Sequence, residues 1–252
     1  MLIRKLFYNQ YINIIMEYEK INTLFKRDTQ GLIIPTQYTN PEFYYLAELD
    51  WEVTEKIDGT NTRIELSRDS LDQKFKIDFC VRTKNAVMQK NVLDMMIERF
   101  KVVDYESIFP KAYSVTIFGE AYGNKVQAVG SRYIKDGNNF SIFDIKVNNI
   151  WLRINDVNQI ANQINADVVP FMGYMNIKEA IELVAEGFKS RVSVDKTLNA
   201  EGVVLKTPFG LLDRMGHRII TKLKTSDFRK YENKYGHNID WTSINSNQNA
   251  DS

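Results

Sequence analysis

Between residues 51 and 224 the apolar residues recur mostly at every second position, in short runs: WEVTEKI, TRIEL, FKIDFCVR, YSVTIFGE, FSIFDIKV, WLRI, EGVVLK and RIITKLK. A period of two turns one face of a strand to a core and the other to solvent or a ligand. Most of these runs are also rich in the β-branched and aromatic residues that suit a pleated surface. Asp58-Gly59, Gly130-Ser131, Asp136-Gly137 and Val147-Asn148-Asn149-Ile150 punctuate them as turns, so the strands are expected to be antiparallel for the most part. Three segments switch to the helical period. One starts at about Asn155, read as an N-cap, and lines up Val157, Ile160, Ala161 and Ile164. A second places Ile177, Ile181, Val184 and Phe188 on one stripe and ends near Gly187. A third covers about 89–100. Helices mixed with strands without strict alternation predict an α+β fold rather than a doubly wound sheet.

The first 50 residues read as irregular, with candidate helices near the start and extended, loop-like chain around Pro35 and Pro41. Met16 is an alternative start to Met1. A polar tail begins at about Asn238. With 252 residues, 44% of them hydrophobic, the chain can bury a substantial core in one large domain or two small ones. The single Cys80 excludes an internal disulfide, and with only His217 and His237 a four-ligand zinc centre would need carboxylates. A reducing, cytosolic setting is expected. No run approaches the roughly 18 apolar residues of a membrane span, and the opening segment is too interrupted by Asn, Gln and Tyr for a signal-peptide core.

Charge is nearly balanced overall, 33 basic against 32 acidic residues, but residues 189–230 carry ten basic and four acidic ones. Such a stretch is either a solvated face or a polynucleotide-binding surface. The segment TEKIDGTNTRIEL narrows the choice. Lys56 closes a strand-like run, Asp58-Gly59 makes the turn and Thr62 opens the next strand, so the lysine stands at an edge a ligand can reach. Taken alone, the pattern fits a solvated hairpin equally well. Further along, FGEAYG sets Glu120 just beyond a hydrophobic strand, FSIFDI sets aromatics near a strand end, and EGVVLK opens on Glu201. KLK puts Lys222 and Lys224 on one strand face. Two neighbouring ammonium groups repel each other unless an anion lies between them, and a triphosphate is one natural occupant.

These elements, in this order and spacing, resemble the covalent nucleotidyltransferases: ATP-dependent DNA ligases, RNA ligases and mRNA capping enzymes. Asn61, the FGEAYG form and the following KVQAVGSRYIKDG are most similar to RNA ligases of the bacteriophage nick-sealing type (RNA ligase family 2). The resemblance implies a ligase adenylation fold of antiparallel sheets flanked by helices, with a nucleotide cleft between them. It implies an N-terminal segment 1–49, an adenylyltransferase domain 50–230 and a short polar tail 231–252, without an OB domain. It implies ATP with Mg²⁺ or Mn²⁺ as cofactors, RNA ends in a nick or single strand as the nucleic-acid partner, no membrane, and a cytoplasmic monomer.

Its residue roles follow in the same way. Lys56 is the nucleophile; a free lysine is protonated at neutral pH, so neighbours must make its neutral form accessible. Lys222 and Lys224 assist and bind the α-phosphate, and Glu201 helps to hold the metal. Glu120 binds the ribose hydroxyls, and Phe143, or alternatively Phe140, stacks on adenine opposite Val203-Val204. Glu55 reads the adenine edge, Asn61 contacts the nucleotide or a substrate phosphate, and Asp58 orients Lys56 or a metal water, or caps the turn. Arg82 engages phosphate, with Arg63 and Arg132 as further phosphate contacts. The expected activity is ATP-dependent RNA ligation through lysyl-AMP. The alternatives are a DNA ligase or capping-type enzyme and, from another class, an inactive nucleic-acid-binding module.

Overall fold

The computed structural model describes residues 17–83, 87–236 and 239–241. Met16, the candidate helices near the start, His237 and the tail beyond residue 241 lie outside the described residues. Along the chain the strands are β1 (Phe25–Arg27), β2 (Ile33–Tyr38), β3 (Trp51–Lys56), β4 (Thr60–Ser67), β5 (Lys76–Val81), β6 (Ser114–Gly123), β7 (Asn138–Val147), β8 (Ile150–Trp151), β9 (Asp167–Val168), β10 (Phe171–Met175), β11 (Gly202–Lys206) and β12 (Ile220–Lys224). The helices are α1 (Glu42–Tyr45), α2 (Lys90–Phe100), α3 (Tyr105–Ile108), α4 (Gly130–Tyr133), α5 (Ile154–Gln163), α6 (Ile177–Glu186) and α7 (Thr225–Tyr235). The described chain forms two compact units, one of residues 17–19 and 58–169, the other of 20–57 and 170–241.

The first unit is built on a sheet of order β5-β4-β6-β7-β8, with β9 added in parallel to β7 and the remaining pairs antiparallel. Alternation sends Ile64, Leu66, Val115, Ile117, Ala121, Phe140, Ile142 and Ile145 to one face, where α2 and α5 cover them with Val92, Met96, Phe100, Val157 and Ala161. Each large apolar side chain removed from water here contributes about 1.5–3 kcal/mol. The opposite face keeps the polar residues of β4, β6 and β7. Register between β6 and β7 slips at Phe118 and Gly119, which pair with Asp144 and Ile142, so Phe143 is the extra residue of a β-bulge. Tyr18 packs on Phe118, Phe143 and Trp151, and its hydroxyl donates to Asp144 Oδ2 at 2.5 Å.

The second unit holds an antiparallel sheet of order β10-β3-β11-β12 and the β1-β2 hairpin. Trp51, Val53, Val203, Leu205 and Leu223 point to one side, against Ile177, Ala180, Ile181 and Val184 of α6 and Phe228 of α7. The outer edge of β12 is paired as well: Thr23 bridges Lys222 in parallel, Leu24 N–H donates to the Lys222 carbonyl at 3.1 Å, and Lys222 N–H to that of Asn22 at 3.2 Å.

Several expectations are corrected. The stretch around Pro35 is a strand paired with β1, because Ile33 and Tyr38 of β2 belong to the core. Residues 225–235 continue from β12 as a full helix whose Phe228 is completely buried and rings against Trp241. Of WLRI only Trp151 is in a strand, the end of β8, and Ile154 already begins α5; Arg153, not Asn155, stands at its N-cap. Phe188 lies past the helix, since Gly187 takes a left-handed φ of +82° and ends α6, which Asn176 and Glu179 start with a reciprocal capping box.

Candidate active site

In the second unit the hydrogen-bonded register across three strands aligns Lys56, Gly202 and Lys224 in one row, and Thr54, Val204 and Lys222 in the next. Alternation puts both rows on the face away from the core of Val203 and Leu205. Of the two valines expected beneath a nucleotide, Val204 is therefore the one beside the lysines. Between Lys56 and Lys224 no side chain intervenes. Gly202 has φ +153°, and a Cβ there would sit 1.9 Å from the Leu223 carbonyl oxygen, so the position demands glycine. Glu201, just before β11, fills the gap: its Oε2 accepts from Lys56 Nζ at 2.6 Å and its Oε1 from Lys224 Nζ at 2.7 Å. One carboxylate thus bridges two half-buried ammonium groups, the position an anionic ligand would take between them.

Glu55 follows the alternation to the other face. It is 1% exposed, and its two carboxylate oxygens accept from Ser190 Oγ at 2.5 Å and the Arg191 backbone N–H at 2.8 Å. Burial pushes its carboxyl above the ordinary glutamate value, and these hydrogen bonds oppose the rise. Both oxygens of a carboxylate expected to read the adenine edge are thereby occupied. Ser190 and Arg191 gave no sequence signal, because no local pattern ties residue 55 to residues 135 positions away.

In the first unit Asn61 stands directly opposite Glu120, and Glu120 opposite Ser141, on the face away from the core. Asn61 Oδ1 is buried and has no hydrogen-bond partner, an acceptor that a donor-bearing ligand can satisfy. Phe143 shares this face, half-buried at its bulge, while Phe140 is fully buried in the core. The turn before β4 is held from outside it: Tyr133 Oη accepts from the Asp58 N–H at 3.1 Å and Gln127 Nε2 donates to the Gly59 carbonyl at 3.0 Å. A Cβ on Gly59 would lie 2.3 Å from the Ala121 carbonyl oxygen, which explains the glycine of the Lys-x-Asp-Gly motif. The KVQAVGSRYIKDG segment thus contributes Gln127 and Tyr133 as supports of that turn, a role its sequence did not announce.

The arginines differ. Arg63 is 2% exposed. Its guanidinium donates to the Val81 carbonyl at 2.5 Å, the Arg82 carbonyl at 3.3 Å and Glu65 at 2.6 Å. It is committed to the end of β5, although a phosphate contact was expected of it. Arg82 and Arg132 are exposed.

The fold is that of known ligases. Solved structures of Naegleria gruberi RNA ligase resemble the chain. An apo mutant matches at 17% identity and TM-score 0.56 over 86% of this chain and 62% of that one. The ligase with PPi matches at 19% and 0.55 over 86% and 64%, and a mutant with ATP and Mn at 16% and 0.55 over 87% and 64%. At these identities the likeness shows the RNA-ligase nucleotidyltransferase fold, and the chain spans 62–64% of the length of those three proteins. Residues 49–224 match the family model for RNA ligase, and the chain belongs to that family. No curated protein sequence matches it. No described helix is long and apolar enough to cross a membrane.

Proposed function

We propose that the chain is an ATP-dependent RNA ligase, a cytoplasmic monomer whose residues 50–230 act as the adenylyltransferase domain. The observation that carries this reading is the Lys56–Glu201–Lys224 bridge beside Lys222, on one sheet face within the matched family region. The Naegleria gruberi ligase structures with ATP, AMP and Mn support the same nucleotide and a divalent ion here.

In the first step the lone pair of Lys56 Nζ attacks the α-phosphorus of ATP. A nitrogen–phosphorus bond forms, the bond to the β-phosphate oxygen breaks, and pyrophosphate leaves. Glu201 Oε2, 2.6 Å away, is the nearest acceptor for the ammonium proton that must depart first. Lys224 and Lys222 then face the phosphoryl oxygens whose charge grows in the transition state. A 5′-phosphate oxygen then attacks the phosphorus of lysyl-AMP, which breaks the nitrogen–phosphorus bond and frees Lys56, and a 3′-hydroxyl attacks the adenylated phosphate, losing its proton as AMP leaves and the strand is sealed. Asn61, Glu120 and Phe143 are assigned to the nucleotide, with Asp58 at the turn; Arg82 and Arg132 are assigned to polynucleotide phosphate.

Among the described residues no group of three or more His, Cys, Asp or Glu could hold a metal ion. That fits Mg²⁺, which keeps much of its water and needs one or two carboxylates beside the phosphates, with Glu201 as the carboxylate. When bound, the ion neutralises phosphate charge during the displacement.

The test is intact mass after incubation with ATP and Mg²⁺. A gain of one AMP, absent in Lys56→Ala and absent when GTP replaces ATP, is expected; no gain in the wild-type chain would overturn the reading. Sealing of nicked duplexes carrying RNA or DNA at the 3′ side then separates RNA from DNA ligation.

A further inference from the structure

The hairpin tip joining β11 to β12 gathers exposed apolar side chains over residues 209–215. Phe209 is 80% exposed, Met215 72% and Leu212 56%. The tip is nevertheless well built. Thr207 Oγ1 donates to the Ile219 carbonyl at 3.3 Å and accepts from the Leu211 N–H at 3.1 Å. Leu212 bridges Arg218, and Asp213 Oδ1 accepts from the N–H groups of Met215 and His217 at 2.8 and 2.9 Å.

Phe209 has φ +63°, a left-handed conformation that is a genuine outlier for a bulky residue. The backbone thus holds a ring outward at a conformational penalty. Of the charged residues around it, Arg214 is exposed and Arg218 half-buried. The only acid at residues 207–218, Asp213, is turned into the turn's own amides, which hold its carboxyl below the usual range.

We infer that residues 207–218 form a docking surface for unpaired nucleotides of the RNA flanking the ends to be joined. An exposed aromatic, further exposed apolar side chains and an exposed arginine on one hairpin tip match a strand that offers both base faces and phosphates. A duplex hides its base faces in the stack, so the tip should favour single-stranded or overhanging RNA. The inference rests on the RNA-ligase reading and names the nucleic acid that reading requires.

The test is fluorescence anisotropy on the full chain, with a labelled single-stranded RNA and with the same strand annealed to its complement. Phe209→Ala should weaken single-strand binding about tenfold, as expected for loss of one stacked base, and leave duplex binding unchanged. Phe209→Trp should restore it. Arg214→Ala should lower the slope of log affinity against log salt by about 0.7, one phosphate contact on a single strand. Unchanged single-strand affinity in Phe209→Ala, or equal losses on strand and duplex, would overturn the inference. So would a Phe209→Ala that alters the oligomeric state in light scattering while RNA affinity stays the same, because the tip would then be a protein contact. Mass gain with ATP, measured in parallel, separates the two readings. A wild-type chain that takes no AMP defeats the ligase assignment, whereas AMP uptake with indifferent RNA binding in Phe209→Ala defeats this inference alone.

Discussion

The two sheets use polar residues in different ways. In the four-stranded sheet of the second unit, strand register brings Lys56, Lys224 and Glu201 into direct contact and sets Lys222 one row away. Its charges are half-buried, and they bond one another. In the sheet of the first unit, polar residues share a face too, but several are bound into the framework: Arg63 holds the end of β5, Tyr18 and Asp144 close on each other, and Tyr133 props the Asp58 turn. Asn61 Oδ1 is the exception. In the second unit strand register and one residue preceding β11 suffice to gather the charges, whereas in the first unit bonds from outside the strands hold the polar face.

The largest effect expected from that contrast is at Lys56. Lys56→Ala should abolish the covalent adenylate completely while denaturant unfolding stays near wild type, because the side chain touches solvent and a carboxylate rather than the core. A melting loss as large as the activity loss would erase the distinction between the sheets. Next come the two aromatics of β7. Phe140→Ala, in the core, should lower stability by about 3–5 kcal/mol in urea unfolding, while Phe143→Ala should spare most of that and raise the ATP concentration needed for half-maximal adenylation. The reverse pattern would exchange their roles.

Arg63→Met should reduce stability by about 1–3 kcal/mol, the penalty for leaving buried carbonyls without a donor, with adenylation retained on the folded fraction. An adenylation defect at full stability would return Arg63 to the phosphate contacts. The smallest effect is at Glu55. Its folded pKa is raised above 4.5, so the folded state binds the proton more readily than the unfolded chain, and this contribution to stability falls as pH climbs from about 4.5 through the raised value. Glu55→Gln should flatten that decline in urea midpoints across the window; an unchanged slope would assign it to another group.

Much of the strand pattern was legible because a period of two is local, and each run from WEVTEKI to RIITKLK except WLRI contains a strand. What failed was non-periodic or weakly apolar. The helix at Thr225–Tyr235 follows a lysine-rich strand without a break and buries few apolar residues beside Phe228. β2 is interrupted by Pro35, which its edge position tolerates. At the site, the face shared by Lys222 and Lys224 followed from their spacing. That Lys224 shares a row with Lys56 and Lys222 lies in the next did not, because the pairing of β3 with β11 and of β11 with β12 spans most of the chain and leaves no local trace. The family resemblance supplied that connection, and it could not foresee that the Arg63 guanidinium is used by the Val81 and Arg82 carbonyls.

The pairing of Asn22 and Leu24 with Lys222 has a consequence of its own. A bare strand edge is a template for intermolecular β-pairing, and here that edge belongs to the strand bearing two of the three lysines. Breaking those backbone hydrogen bonds while Leu24 stays in the core would uncover sticky backbone beside them, so the damage should surface as clumping into oligomers.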